Sequence, residues 1–120
     1  TERPGSGATR FPDYATALAW LRRRTDFERG PSPRVTPHLV AMRALAERLD
    51  HPELAYPTLH VAGTKGKGST CAFAAALLRR AGLRTGLYVS PHLSHLLERI
   101  EIGGAPIAPE AFARLLGSLA

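Results

Sequence analysis

The sequence predicts an α/β fold: a P-loop-type parallel sheet flanked by helices and cut short. Three observations predict it. Thr58–Ala62 and Thr85–Val89 read as short strands. Between them a glycine-rich turn runs into an alanine- and leucine-rich stretch, Ser69–Ala81, with Gly82 placed as its C′ residue. The whole strand–turn–helix–strand run takes about 30 residues, the size of a βαβ unit, so the crossover is expected to be right-handed and the strands parallel. Two parallel strands are few for a finished sheet, which is usually larger and covered on both faces. The 120 residues are therefore expected to be the front part of a longer protein.

The elements follow in order. Residues 1–12 are polar and rich in glycine and serine, and are expected to be a disordered lead-in to a domain spanning 13–120. From Asp13, the apolar residues Tyr14, Leu18 and Leu21 recur at helical spacing. Gly30-Pro31-Ser32-Pro33 breaks that helix into a loop. Thr36-Pro37 reads as an N-cap with proline in the first turn, and Leu39, Met42, Ala46 and Leu49 line one face until His51-Pro52 stops the helix. Beyond the βαβ unit, Ile100 and Ile102 alternate with charge. Gly103-Gly104 makes a turn, and Ala105–Ile107 returns as a hairpin strand. Pro109-Glu110 opens a last helix with Phe112, Leu115, Leu116 and Leu119 on one face.

Composition narrows the function. A chain of this size buries roughly two-thirds of its unfolded surface, enough for a core without disulfides. The single cysteine, Cys71, has no partner within the chain and reads as a small packed residue. A reducing, cytoplasmic setting fits. No apolar run approaches the ~20 residues of a membrane span, and no signal-peptide pattern leads the chain. The formal charge of +6 comes from 14 Arg and 2 Lys. The arginines are scattered; their one run, Arg22-Arg23-Arg24, reads as the solvated side of a helix, so no dedicated nucleic-acid surface is expected. Both lysines, Lys65 and Lys67, fall in the glycine-rich turn.

That turn, HVAGTKGKGST from His60 to Thr70, has the parts of a phosphate cradle. Such a loop needs inward-pointing N–H groups on backbone conformations that glycine reaches, and a helix N-terminus whose free N–H groups favour anions. A lysine and a hydroxyl for Mg²⁺ complete it. Gly63, Gly66 and Gly68 supply the first, the helix from Ser69 the second, Lys67 the third, and Ser69 or Thr70 the fourth. Against the general G-x-x-x-x-G-K-[ST] pattern, however, Val61 stands in place of the first glycine and Gly68 in place of the hydroxyl. A plain chain-reversing turn is the competing reading, but it requires neither the lysines nor the hydroxyls.

GTKGKGST, followed by TGLYVSPHLSHLLERIEIGGAPI, resembles the N-terminal ATPase domain of the folylpolyglutamate synthase and dihydrofolate synthase family, within the Mur ligases. That family's loop, G-T-[NK]-G-K-G-[ST], is matched in full by Gly63–Ser69 and accounts for both departures. The resemblance implies an ATP-dependent ligase. It would join L-glutamate to a folate or dihydropteroate carboxylate through an acyl phosphate, in the cytoplasm and as a monomer when full length. It assigns Gly63, Thr64, Gly66, Lys67, Gly68, Ser69 and Thr70 to the ATP phosphates, with Lys67 also catalytic. Ser90 is assigned to Mg²⁺, and Pro91 and His92 to the border of the folate site.

Val35, Thr36 and Pro37 stand where relatives contact the pteroate, although the match there is poor. His92 and His95 lack the neighbouring ligands of a metal site, and Glu98 and Arg99 read as an exposed pair with no evident catalytic role. Ser90 before Pro91 is also ordinary chemistry for the end of a strand. The alternatives are another Mur-type amino-acid ligase and a non-catalytic, basic nucleotide-binding module. The family's remaining Mg²⁺ ligands and its glutamate site are expected downstream of Ala120, so these residues alone are expected to bind nucleotide weakly without turnover.

Overall fold

The computed structural model describes residues 10–24 and 39–120, and the chain divides into two compact units. The larger takes residues up to Arg24 and from Val61 to Ala120; the smaller takes Thr25–His60. The expected loop at Gly30–Pro33, the helix start at Thr36-Pro37 and residues 1–9 lie outside the described residues, as does Val35.

The core of the larger unit joins two helices. Helix α1 (Tyr14–Arg22) starts at Asp13, whose carboxylate accepts the Thr16 N–H at 2.7 Å. This is an N-cap bond that satisfies one of the donors a helix start leaves over. Helix α4 (Pro109–Leu119) begins with proline, which has no N–H to lose there, and packs on α1. Between them lie Phe11, Ala17, Ile107, Phe112 and Ala113, all buried. Tyr14 meets Phe112 edge-on at 5.7 Å, and Phe11 tilts against Trp20 at 5.4 Å.

Two expectations are corrected here and one gains a contact. Phe11, which the sequence places in the lead-in, belongs to this core. Arg24 is exposed, as expected, and in addition holds its guanidinium 4.3 Å from the centre of the Trp20 ring, a cation–π contact. The buried face of α4 runs through Phe112 and Ala113, while Leu115 and Leu119 are exposed.

The α/β class holds, but no parallel sheet is found among the described residues. Strands β1 (Gly86–Tyr88), β2 (Ile100–Ile102) and β3 (Ala105–Pro106) form one antiparallel sheet in the order β1-β2-β3. Gly86 lies opposite Ile102, Tyr88 opposite Ile100, and Ile102 opposite Ala105. Thr58–Ala62 carries no strand. Sequence patterning describes a conformation, not a partner, and register is fixed only where a face is buried. Residues 58–60 bury none, and Leu59 is 67% exposed. The hairpin is as expected: Gly103 and Gly104 have φ of 64° and 92°, the two positive values a type I′ turn requires.

Helix α3 (Lys67–Arg80) begins two residues before Ser69 and packs against β1. Its end is a Schellman motif with Gly82 at φ 83°. The Gly82 N–H bonds the Arg79 carbonyl and the Leu83 N–H the Leu78 carbonyl. In the smaller unit, α2 (Leu39–Arg48) closes the same way with non-glycine residues. Asp50 and His51 take φ of 59° and 51°, and their N–H groups reach the carbonyls of Glu47 and Ala46. The helix thus stops by its own cap before Pro52 is reached. Among the described residues, no helix is long and apolar enough to cross a membrane.

Candidate phosphate-binding site

The glycine loop is built where it was expected. Gly63 has φ 154°, and Gly66 is the N-cap of α3 in the left-handed region, φ 75°. A side chain at Gly66 would be strained there, which is the physical reason for glycine at this position. The helix then runs from Lys67, with its first bond from the Thr70 N–H to the Gly66 carbonyl at 2.9 Å. Gly68, Ser69 and Thr70 fall in that first turn and are exposed. Their end of the helix carries the positive side of its dipole and N–H groups lacking intrahelical acceptors.

Lys67 reaches back over the loop, its Nζ donating to the Gly63 carbonyl at 2.7 Å. The ammonium is therefore held across the mouth of the turn, beside the helix start. The space in front of the loop is open: a Cβ built on Gly66 or Gly68 would meet nothing within 4 Å. Helix N-terminus, ammonium, hydroxyls and open glycine backbone together fit a phosphate chain.

The second expected segment leaves the carboxyl end of β1. Ser90 and Pro91 are exposed and joined by a cis peptide bond, and His92 is half-buried. The structure ties this segment to residues that sequence reasoning passed over. The Nε of Arg99 donates to Nδ1 of His92 at 2.8 Å. An arginine can only donate, so Nδ1 carries the lone pair and the ring proton belongs on Nε2. The Glu98 carboxylate accepts the N–H groups of Leu93 at 2.9 Å, Ser94 at 3.2 Å and His95 at 3.1 Å. Ser94 and Leu93 are the main reason its pKa lies below the ordinary carboxylate value.

Glu98 and Arg99 are thus not a solvated pair. Both lie in a 3₁₀ turn, Leu96–Arg99, where adjacent residues do not face each other, and they divide their bonds between different parts of one loop. The signal in the sequence was slight: Glu98 stands three residues after His95, the spacing of the capping box that the structure forms there, although His95 is not one of the usual capping residues.

The link between the two segments is α3, which starts in the glycine loop and packs on β1, whose end leads into Ser90. The described residues contain no group of three or more His, Cys, Asp or Glu side chains that could ligate a metal. Ser90 would contribute one hydroxyl to a metal and not a whole site. Two concavities lie elsewhere, one lined by Leu39, Met42 and Tyr56, the other by Phe11, Tyr14 and Arg114. Neither touches the loop; a cradle for an extended anion is open by nature.

No protein-family profile matches the chain. Individual proteins do. The dihydrofolate synthase/folylpolyglutamate synthase of Bacillus subtilis is 38% identical over 109 residues, covering 91% of this chain and 24% of the relative. The crystal structure of folylpolyglutamate synthase from Thermotoga maritima superposes with a TM-score of 0.77 at 32% identity, over 88% of this chain and 23% of that one. The bifunctional folylpolyglutamate synthase/dihydrofolate synthase of Yersinia pestis, complexed with AMPPNP and Mn ion, superposes at 0.67 with 35% identity, over 90% and 26%. The chain spans about a quarter of the length of these relatives, as their coverage figures show. Over the nine-tenths that they match, it belongs to the folylpolyglutamate synthase/dihydrofolate synthase family.

Proposed function

We propose that this chain is the ATP-phosphate-binding part of an ATP-dependent ligase that joins L-glutamate to a folate or dihydropteroate carboxylate by way of an acyl phosphate. The observation that carries the reading is the Lys67 ammonium held 2.7 Å from the Gly63 carbonyl, across an open glycine loop at the start of α3. Phosphoryl transfer is mainly a matter of positioning and charge stabilisation, and these are what such a loop offers.

In this reading Gly63, Thr64, Gly66 and Gly68 present backbone to the phosphates. Lys67 exchanges its carbonyl partner for phosphate oxygens and offsets their charge during transfer. Ser69 and Thr70 add hydroxyls, and Ser90 would help hold Mg²⁺, which would supply charge neutralisation at the phosphates. Pro91 and His92 border the folate. The cytoplasm is the fitting compartment, given one unpaired cysteine, and the full-length protein would act as a monomer. These roles rest on family membership together with the loop geometry.

The test is ligand-induced thermal stabilisation of the 120-residue chain. Mg-ATP is expected to raise the Tm of the wild type. In Lys67→Ala that rise should vanish while the unliganded Tm stays within about 2 °C, since an exposed lysine contributes little to stability. A rise that survives the substitution would sink the cradle. If short duplex DNA stabilises the chain, with steep salt dependence and no effect of ATP, the basic-module alternative is favoured instead.

A further inference from the structure

We propose that Glu98 and Arg99 are the positioning residues of the 90–95 loop, setting its backbone and the His92 imidazole in a fixed arrangement before ligand arrives. The ligand half of this proposal rests on the folate reading above; the positioning half rests on the geometry alone.

The loop cannot be held by burial. Leu93 is 98% exposed, and Ser94 and His95 are exposed as well. Nor do residues 92–95 belong to any ladder or helix. What remains is polar, and it converges on two neighbours. One carboxylate gathers three consecutive N–H groups, charge-assisted bonds that are each roughly twice as strong as neutral ones. One guanidinium fixes the imidazole through Nδ1 and leaves Nε2–H as the ring's donor.

Both anchors are themselves fixed. Leu96 and Leu97 on one side, and Ile100 in β2 on the other, pack against the main core. The Val89 N–H also bonds the Arg99 carbonyl at 2.9 Å, so both stems of the loop are pinned where they enter the sheet. Core packing is in this way transmitted through two side chains to a segment with no core of its own. The ring donor on His92 suits an acceptor on the ligand, such as a carbonyl or carboxylate oxygen.

The experiment uses the 120-residue chain with nitrogen-15 labelling, comparing wild type with Glu98→Ala, Glu98→Gln and Arg99→Lys. In Glu98→Ala the amides of residues 93–95 should exchange at least about tenfold faster, while amides of α1 and α4 keep their rates. The His92 ring-nitrogen shifts should move from a single Nε2–H tautomer toward a mixture in both Glu98→Ala and Arg99→Lys. Glu98→Gln keeps one acceptor oxygen and should fall between. Folic acid, as the probe, should bind Glu98→Ala at least about tenfold more weakly, with Mg-ATP affinity changed by less than about twofold.

Unchanged amide exchange and unchanged ring shifts would overturn the positioning role. Released amides with undiminished folic acid binding would overturn its consequence for the ligand. If the wild type binds Mg-ATP but no folic acid, the folate reading falls with the ligand half, and the amide and ring signals still decide the positioning half.

Discussion

Glu98 shows how much one carboxylate can organise when backbone donors surround it. The N–H groups of Ser94 and then Leu93, with a smaller share from His95, hold its pKa below the ordinary value of 4.5. A carboxylate whose folded pKa lies below its unfolded one stabilises the fold above the unfolded value, and that contribution disappears as pH falls through the folded value. The window here opens below 4.5. The amide proton shifts of Leu93, Ser94 and His95 should therefore titrate together, with one shared midpoint under 4.5. Separate midpoints, or a shared one at or above that value, would contradict the three-bond arrangement.

Asp13 behaves in the same sense, since the Thr16 N–H holds its carboxyl below 3.8. The Asp13 cap was readable because a helix start has a local signature. The place of Lys67 in the glycine turn was readable too, since it stands between Gly66 and Gly68 directly ahead of a helical stretch. The role of Glu98 was not readable, because bonds from a side chain to the backbone of a loop depend on the path of that loop.

Among the elements, the Gly103-Gly104 turn is a case where two identical residues have different reasons to be glycine. Gly103 has φ 64°, a region asparagine enters readily, and open space where a Cβ would go. Gly104 has φ 92°, and a Cβ there would lie 3.0 Å from Nε of Arg79. Arg79 belongs to α3, so the second glycine also admits a side chain from the helix against the hairpin. Gly103→Asn should cost less than about 0.5 kcal/mol and Gly104→Asn more than about 1 kcal/mol, measured by urea denaturation. The reverse order would refute the distinction.

The hairpin, α3 with its terminal glycine, and α4 were legible because turn chemistry and helical period are local. The parallel pairing was not. Thr58–Ala62 and Thr85–Val89 each have strand-like composition, but pairing is chosen by the neighbour that buries a face, and for β1 that neighbour is β2.

For the molecule as a whole, stability rests on a small set of residues. Phe112 is 8% exposed and meets Tyr14 within the main core. Phe112→Ala should cost about 3–5 kcal/mol, a large part of the roughly 5–15 kcal/mol that domains of this kind possess. Calorimetry should show the cooperative transition lost or lowered by more than about 10 °C, whereas Phe112→Leu should keep it. A Phe112→Ala chain unfolding at the wild-type temperature would mean that the core lies elsewhere. Sequence period found the α4 half of this core. It missed Phe11, which stands between Arg10 and Pro12 in a polar neighbourhood and carries no periodic signal.

The pairing of α1 with α4 has a consequence in time. These helices lie on either side of most of the chain, with both the glycine loop and the 90–95 loop strung between them. The entropy of closing so long a segment is lost before the aromatic contacts compensate it, which slows formation of this core relative to one built from neighbouring elements. Helix α3 and the glycine hairpin, joined through β1, can flicker into shape early, but the main core forms only when the two outer helices meet. Refolding of the larger unit is therefore expected over roughly milliseconds to seconds and not microseconds, with the phosphate loop among the parts that wait.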